Sequence, residues 1–336
     1  MKQFKGHSHF DRSGSGLSRR SLLAACAGAA ATMVSTTGCI ISGDGSEPEI
    51  VWGRRGFSEG RFQKPRAIAI DESDQLYICD TTGRIQVFDA DGQQQRFWKT
   101  PATKNGRPTG MTVRPADQHI DQPLLLVADT HYYRMLAYTL QGELLDDASI
   151  GGTAGIGEGE FAFVTDAICD DEGCFYISEY NESDRIQKFD PSGEFMTQWG
   201  ETGRKPEQFL RPQGLAIHNK ILYIADACNH RIQRYDISAA EPKLIDIWGG
   251  EGKGIGKFYY PYGIDFASDG SLLIVEYGNQ RIQRFSPQGK PIASWGTPGF
   301  DAGQLYQPWG VVVDSKDRVH ILDSNNHRVQ RVSLPS

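Results

Sequence analysis

The chain lacks a Lys/Arg stripe, any segment of sustained helical periodicity, a Cys-x-x-Cys pair, a phosphate-cradling glycine loop and a Gly-x-Ser-x-Gly elbow. Each absence removes a class of protein. The formal net charge is -7, and the first 39 residues hold Lys2, Lys5, Arg12, Arg19 and Arg20 against Asp11, so the remainder carries -11. An acid-rich body without a basic stripe does not suit the phosphate backbone, and nucleic acid is excluded as a partner. Without helical periodicity the chain is read as all-β. The longest apolar run, Leu22 to Val34, falls short of the ~20 residues that span a bilayer.

That run belongs to a leader. Ser18-Arg19-Arg20-Ser21-Leu22-Leu23 opens it after a basic stretch, which is the order of an export signal. The paired arginines resemble a twin-arginine signal, although an ordinary signal containing an Arg pair reads the same way. Thr36-Thr37-Gly38-Cys39 resembles the box cut before a lipid-bearing cysteine, with Thr36 in place of the usual Leu. Cleavage among the small residues Ala27 to Ala31 is the alternative, and would leave no anchor. Lipid at Cys39 would tether the body to a membrane through a polar spacer. The expected organisation is therefore signal 1–39, linker 40–48 and body 49–336.

The body is a repeat. An apolar strand, an acid, a polar turn and a strand opening on Arg recur as Asp80 and Arg84, Asp129 and Arg134, Glu179 and Arg185, Asp226 and Arg231, Glu276 and Arg281, and Asp323 and Arg328. The acids are 49, 50, 47, 50 and 47 residues apart, a period of propellers or solenoids. Each unit has four short strands between Gly, Asp and Asn turns, beginning near a Pro-x-Gly and ending in Trp-Gly, as a propeller blade does. The last repeat lacks its Trp-Gly strand, and Glu49-Ile50-Val51-Trp52-Gly53 is an orphan Trp-Gly strand before the first. The orphan is expected to complete the sixth blade and close the ring, removing exposed sheet edges. The acid and Arg pairs, present in every blade, are expected to be structural. So are Trp52, Trp98, Trp199, Trp248 and Trp295, at the last-strand position where an apolar face suits blade-to-blade packing.

Asp-x-x-Asn-x-Arg-Ile-Gln-x-Phe, present as Asp226 to Tyr235 and, with Glu leading, as Glu276 to Phe285, resembles the NHL repeat. The resemblance runs in register over residues 49–336 and implies a six-bladed β-propeller. NHL proteins include enzymes, RNA binders and protein-binding scaffolds, so the fold leaves function open. The NHL-like amidating lyases are metalloenzymes with zinc-binding His at the x of Pro-x-Gly in alternate blades. Here those positions hold Arg66, Thr109, Thr165, Gln213, Tyr262 and Trp309. The place of the lyase's catalytic Tyr, before Cys-Asn-x-Arg, is taken by Ala227 before Cys228-Asn229-His230-Arg231. The resemblance therefore implies neither the metal nor the catalytic phenol here, and no cofactor or metal is expected.

Three histidines, His131, His230 and His327, fall in the same turn of blades two, four and six. Those turns lie about 4.8 Å outside the innermost strands, too far for one ion that needs ligands within about 2.1 Å, so they are read as turn residues. Cys169 and Cys174 flank a four-residue hairpin turn, Asp170 to Gly173, and an oxidising compartment would permit a disulfide there. Cys79 and Cys228, in blades across the ring, are expected to be free.

The repeats differ most at the channel mouth. Tyr259, Tyr260, Tyr262, Tyr306 and Trp309 gather where blades five and six begin, and closure brings Arg66 alongside. With Thr109, Thr165 and Gln213 they form the expected ligand site, suited to a sugar, a peptide or an organic anion; the alternative is that several rings pack between blades. The expected function is a non-catalytic ligand- or protein-binding scaffold, monomeric, exported to the envelope and touching membrane only through lipid. The alternative is a propeller enzyme, a lyase or lactonase-like hydrolase working in the channel.

Overall fold

The computed structural model describes residues 41–42 and 47–334. The leader with its Arg pair and Cys39 lies outside the described residues, as does part of the linker. Within the body, six four-stranded antiparallel sheets follow one another around a ring. Blade four shows the pattern, with Pro212–His218 innermost, then Ile221–Asp226, Arg231–Asp236 and Lys243–Gly249. The second and third strands are buried along almost their whole length, because sheets pack on both of their faces. Ile41–Ser42 adds a short parallel strand beside Ala293–Ser294 of blade five.

The orphan strand closes the ring. Ile50, Val51 and Trp52 pair antiparallel with Arg331, Gln330 and Val329, so blade six is built from both ends of the body. The core is not one mass but six apolar layers, one between each pair of neighbouring blades. Tryptophan seals four of these interfaces: Trp52 on Phe88 at 4.6 Å, Trp98 on Tyr138 at 5.9 Å, Trp199 on Tyr235 at 5.7 Å and Trp248 on Phe285 at 4.9 Å. Trp295 packs among the layer between blades five and six. Three indoles also lie flat on turn glycines of the next blade, where a Cβ at Gly92, Gly142 or Gly289 would fall 2.5–2.6 Å from the ring.

All six acid and Arg pairs form, at 2.5–3.0 Å. What they hold is a strap, the loop that crosses from the outer strand of one blade to the inner strand of the next. In blade four, Arg231 donates to the strap carbonyls of Arg204, Lys205 and Gln208 at 2.7–2.9 Å. Asp226 accepts from the strap N–H of Leu210 at 2.8 Å, from Asn229 and from Gln233. The same grip recurs through Arg84, Arg185, Arg281 and Arg328. A buried acid alone would be costly; here its lone pairs are filled by the segment that links the blades.

Blade two departs from this. Its entering loop is short, Leu136 stands where the other blades have Gln, and Arg134 is bound to Asp129 through Nε at 3.0 Å without the strap carbonyls. Asp129 Oδ1 is buried without a partner among the described residues, and burial pushes its carboxyl up from the ordinary range. The pair is therefore not equivalent in all six blades.

Two further expectations are corrected. The cysteines of blade three are free thiols. Cys169 pairs with Phe175, while Cys174 sits opposite Asp170. Residues one step off register point to opposite faces of a sheet, so Cys169 and Cys174 are turned apart and no disulfide links them. The histidines are not a matched set either. His230 and His327 occupy the left-handed residue closing their turns, at φ 56° and 58°, whereas that place in blade two belongs to Tyr133 and His131 lies two residues earlier. His230 and His327 stitch blades together, their Nδ1 atoms accepting from the backbone N–H of Tyr260 at 3.1 Å and Lys64 at 2.9 Å.

Candidate functional site

The innermost strands start with their Pro-x-Gly turns around the axis and enclose a cavity of about 240 Å³. Glycine is needed there because the strands nearly touch. A Cβ at Gly214 would lie 2.2 Å from the Tyr262 carbonyl, and one at Gly263 2.7 Å from the Gly310 Cα. In blade three the glycine position is held by Asp166, and Gly110 of blade two makes room for it.

Of the expected site residues, Arg66, Thr109, Gln213, Tyr262 and Trp309 line this cavity. Thr165 does not. Its hydroxyl is buried between blades, bonded to Ser178 Oγ at 2.7 Å and the Pro212 carbonyl at 2.6 Å. Tyr259, Tyr260 and Tyr306 are strap residues set off the axis. Tyr259 stacks on His230 at 5.1 Å with Tyr260 against its edge, and Tyr306 meets Phe300. The aromatic cluster is thus split into a channel set and a strap set, because residues two or three places before the x position still belong to the strap.

The channel set is tightly interlocked. Trp309 reaches across from blade six, its indole N–H donating to the Thr109 carbonyl of blade two at 3.2 Å. Arg66 lies over that indole at 5.2 Å, and Tyr262 meets its edge at 4.9 Å. Tyr277 stacks on Tyr262 at 4.8 Å. Two more arginines stand at the rim. Arg211 lies over Tyr180 at 4.7 Å and Tyr262 at 5.8 Å, with Nε donating to Gln213 Oε1 at 3.2 Å. Arg107 donates to the Thr81 and Gly106 carbonyls.

Arg66, Arg107 and Arg211 have no carboxylate within ion-pair distance among the described residues. Their mutual repulsion is felt at Arg66, held below its usual range by burial and then by Arg211 and Arg107. His131 is likewise lowered by burial and by these arginines, so it is neutral at pH 7. Burial pushes the Tyr262 phenol up to about 12 and raises Tyr277, leaving both as hydrogen-bond donors.

Sequence reasoning missed Arg107, Arg211, Tyr180 and Tyr277. The signal lay two positions before the x residue, in Arg107-Pro108 and Arg211-Pro212, and in Tyr following the acid in blades three and five. Arg211 reaches the rim through a left-handed backbone, φ 55°, shared with Lys64, Tyr260 and Gln307 before their prolines. Such residues cost of order 1–3 kcal/mol each and persist where the surrounding fold enforces them.

Deeper in, Asp166 and Asp265 line the same cavity. Asp166 accepts from the N–H of Ala167 and of Leu215 in the next blade, both at 3.0 Å. Asp265 accepts from Phe266 and from Val313 of blade six, both at 2.8 Å. Burial pushes Asp166 up to about 7 and Asp265 to about 6 despite those bonds. The folded chain thus keeps protons that the unfolded chain releases near pH 4. The contribution to stability is present at low pH and lost as pH rises through 6 and 7. The lowered His131, His230 and His327 act in the opposite sense. The two carboxylates are therefore read by difference: from pH 5 to 8 the urea midpoint of wild type should fall relative to that of the Asp166→Asn, Asp265→Asn double variant. Parallel curves would refute the assignment.

Comparison with known proteins agrees with the architecture. A family profile described as NHL repeat matches residues 305–332, and one described as 6-bladed beta-propeller matches residues 154–245. A stretch of 75 residues is 40% identical to the mouse (Mus musculus) peptidyl-glycine alpha-amidating monooxygenase, covering 20% of this chain and 8% of that protein. A streptogramin B lyase structure superposes with a TM-score of 0.57 at 13% identity, covering 85% of this chain and 88% of that one. A structural genomics protein from Bacteroides thetaiotaomicron superposes with a TM-score of 0.60 at 14% identity, covering 84% and 74%. Likeness at such identities speaks to fold alone. With the ring closed by its N-terminal strand and the repeat matched in the last blade, the chain is an all-β six-bladed propeller carrying the NHL repeat.

Proposed function

We propose that this propeller is a binding module for a small organic carboxylate held at the channel mouth. One observation carries it: three guanidiniums converge there in a chain of net negative charge, and none has a carboxylate of the described residues within ion-pair distance. Arg66 and Arg211, set over aromatic rings, retain N–H groups for charge-assisted bonds to a planar anion. The phenols of Tyr262 and Tyr277, protonated at neutral pH, would add directed hydrogen bonds. The leader supports placing such a module in the cell envelope.

Calorimetric titration with acetate, butanoate and hexanoate tests this. Saturable binding is expected in low salt, weakening as salt rises. Arg66→Met or Arg211→Met should lower affinity about 10-fold or more, since each removes a charge-assisted pair. If wild type binds none of the three, or if Arg66→Met and Arg211→Met both bind as wild type does, the mouth is not an anion site.

A further inference from the structure

The mouth and the interior of the channel carry opposite charges. Arg66 lines the upper end of the cavity that Asp166 and Asp265 also line. Neither aspartate has a cationic partner within ion-pair distance among the described residues, although the fold supplies arginines for the acids of every blade. Each carboxylate oxygen takes one backbone N–H. A carboxylate offers about four lone-pair sites, so two remain on each group. Both side chains are only half-buried, their open side facing the cavity. Two carboxyl groups, charged above about pH 7, are thus kept inside the ring with free lone pairs turned to the cavity, while three charges of the other sign sit at its entrance.

From these positions we propose that the ligand is a zwitterion, an amino acid or a short aminocarboxylate, with its carboxylate on Arg66 and Arg211 and its ammonium directed down the channel to Asp166 and Asp265. This rests on the carboxylate reading of the mouth and specifies the other end of the molecule. The strands set the length. Asp166 is one residue below the mouth position of its strand and Asp265 three below, which at about 3.3 Å per residue places them roughly 3 and 10 Å inside. An ammonium separated from its carboxylate by a chain of one to five carbons reaches one or both. It meets each aspartate as a charged donor, and each such bond replaces water on a group that burial already makes costly to ionise. The cavity is small, and it excludes bulky side chains on the bridging carbons.

The test pairs each aminocarboxylate with the acid that lacks its amine: glycine with acetate, 4-aminobutanoate with butanoate, 6-aminohexanoate with hexanoate. Titrations at pH 8, where both aspartates are charged, should show at least one aminocarboxylate binding 10-fold or more tighter than its partner acid. Asp166→Asn and Asp265→Asn, tested separately with circular dichroism to confirm that each is folded, should shrink that preference without weakening the binding of the plain acids, which lose a repelling charge. Equal affinity within every pair overturns the zwitterion and leaves the carboxylate site standing. Binding of neither series overturns the site itself. A preference that survives both substitutions also overturns the proposal, because the amine would then be read elsewhere.

Discussion

Deleting residues 49–53 is expected to leave a propeller that no longer folds to a stable monomer, and Trp52→Ala alone should cost about 3 kcal/mol. The deletion removes the strand paired with Val329, Gln330 and Arg331. It also removes the backbone bond from Glu49 N–H to the Arg331 carbonyl at 2.8 Å and the ion pair of the same two residues at 3.1 Å. Arg328–Val332 would then be an open sheet edge, a template for association between chains. The point substitution isolates packing from closure. Trp52 touches both Phe62 and Phe88 of blade one, and its loss opens a void in the interface that joins the last blade to the first. For a body of this size 3 kcal/mol lowers the midpoint of thermal unfolding by about 5 °C. Calorimetry with light scattering would show both effects; a deletion variant that melts as wild type does would mean the ring closes some other way.

Arg231→Met should destabilise by about 3–5 kcal/mol, the range for breaking a buried pair, and Arg134→Met by clearly less. The two arginines occupy the same repeat position and both bind a fully buried acid. Arg231 also ties three strap carbonyls, so its removal frees the loop between blades three and four as well as stranding Asp226. Arg134 holds no strap, and Asp129 already lacks a partner at Oδ1 and is raised towards the neutral form. Protonation of Asp129 absorbs part of the loss. Urea midpoints of the two variants decide it, and equal losses would show that the strap adds nothing to the pair.

The acid and Arg motif was legible as structure from its six-fold recurrence alone. Its partner was not, because the strap carbonyls that Arg231 grips are 23 to 27 residues away and have no side-chain signature. Similarly, Tyr259 and Tyr262 read alike in sequence, yet one stacks on a turn histidine of the preceding blade and the other lines the cavity. Their difference is the direction of the backbone as it turns into the innermost strand.

By itself the sequence determined the all-β class, the number of blades and the strand that closes them, since a propeller writes its period into every repeat and a broken repeat must be completed from the other terminus. Only the tertiary structure decided what meets at the axis. Arg66, Arg107 and Arg211 come from blades one, two and four, Tyr180 and Tyr277 from three and five, and Asp166 and Asp265 lie beneath them. No local pattern joins these residues. They become neighbours because closing the ring brings every innermost strand to one axis, where charges scattered along nearly the whole body act on a single small space.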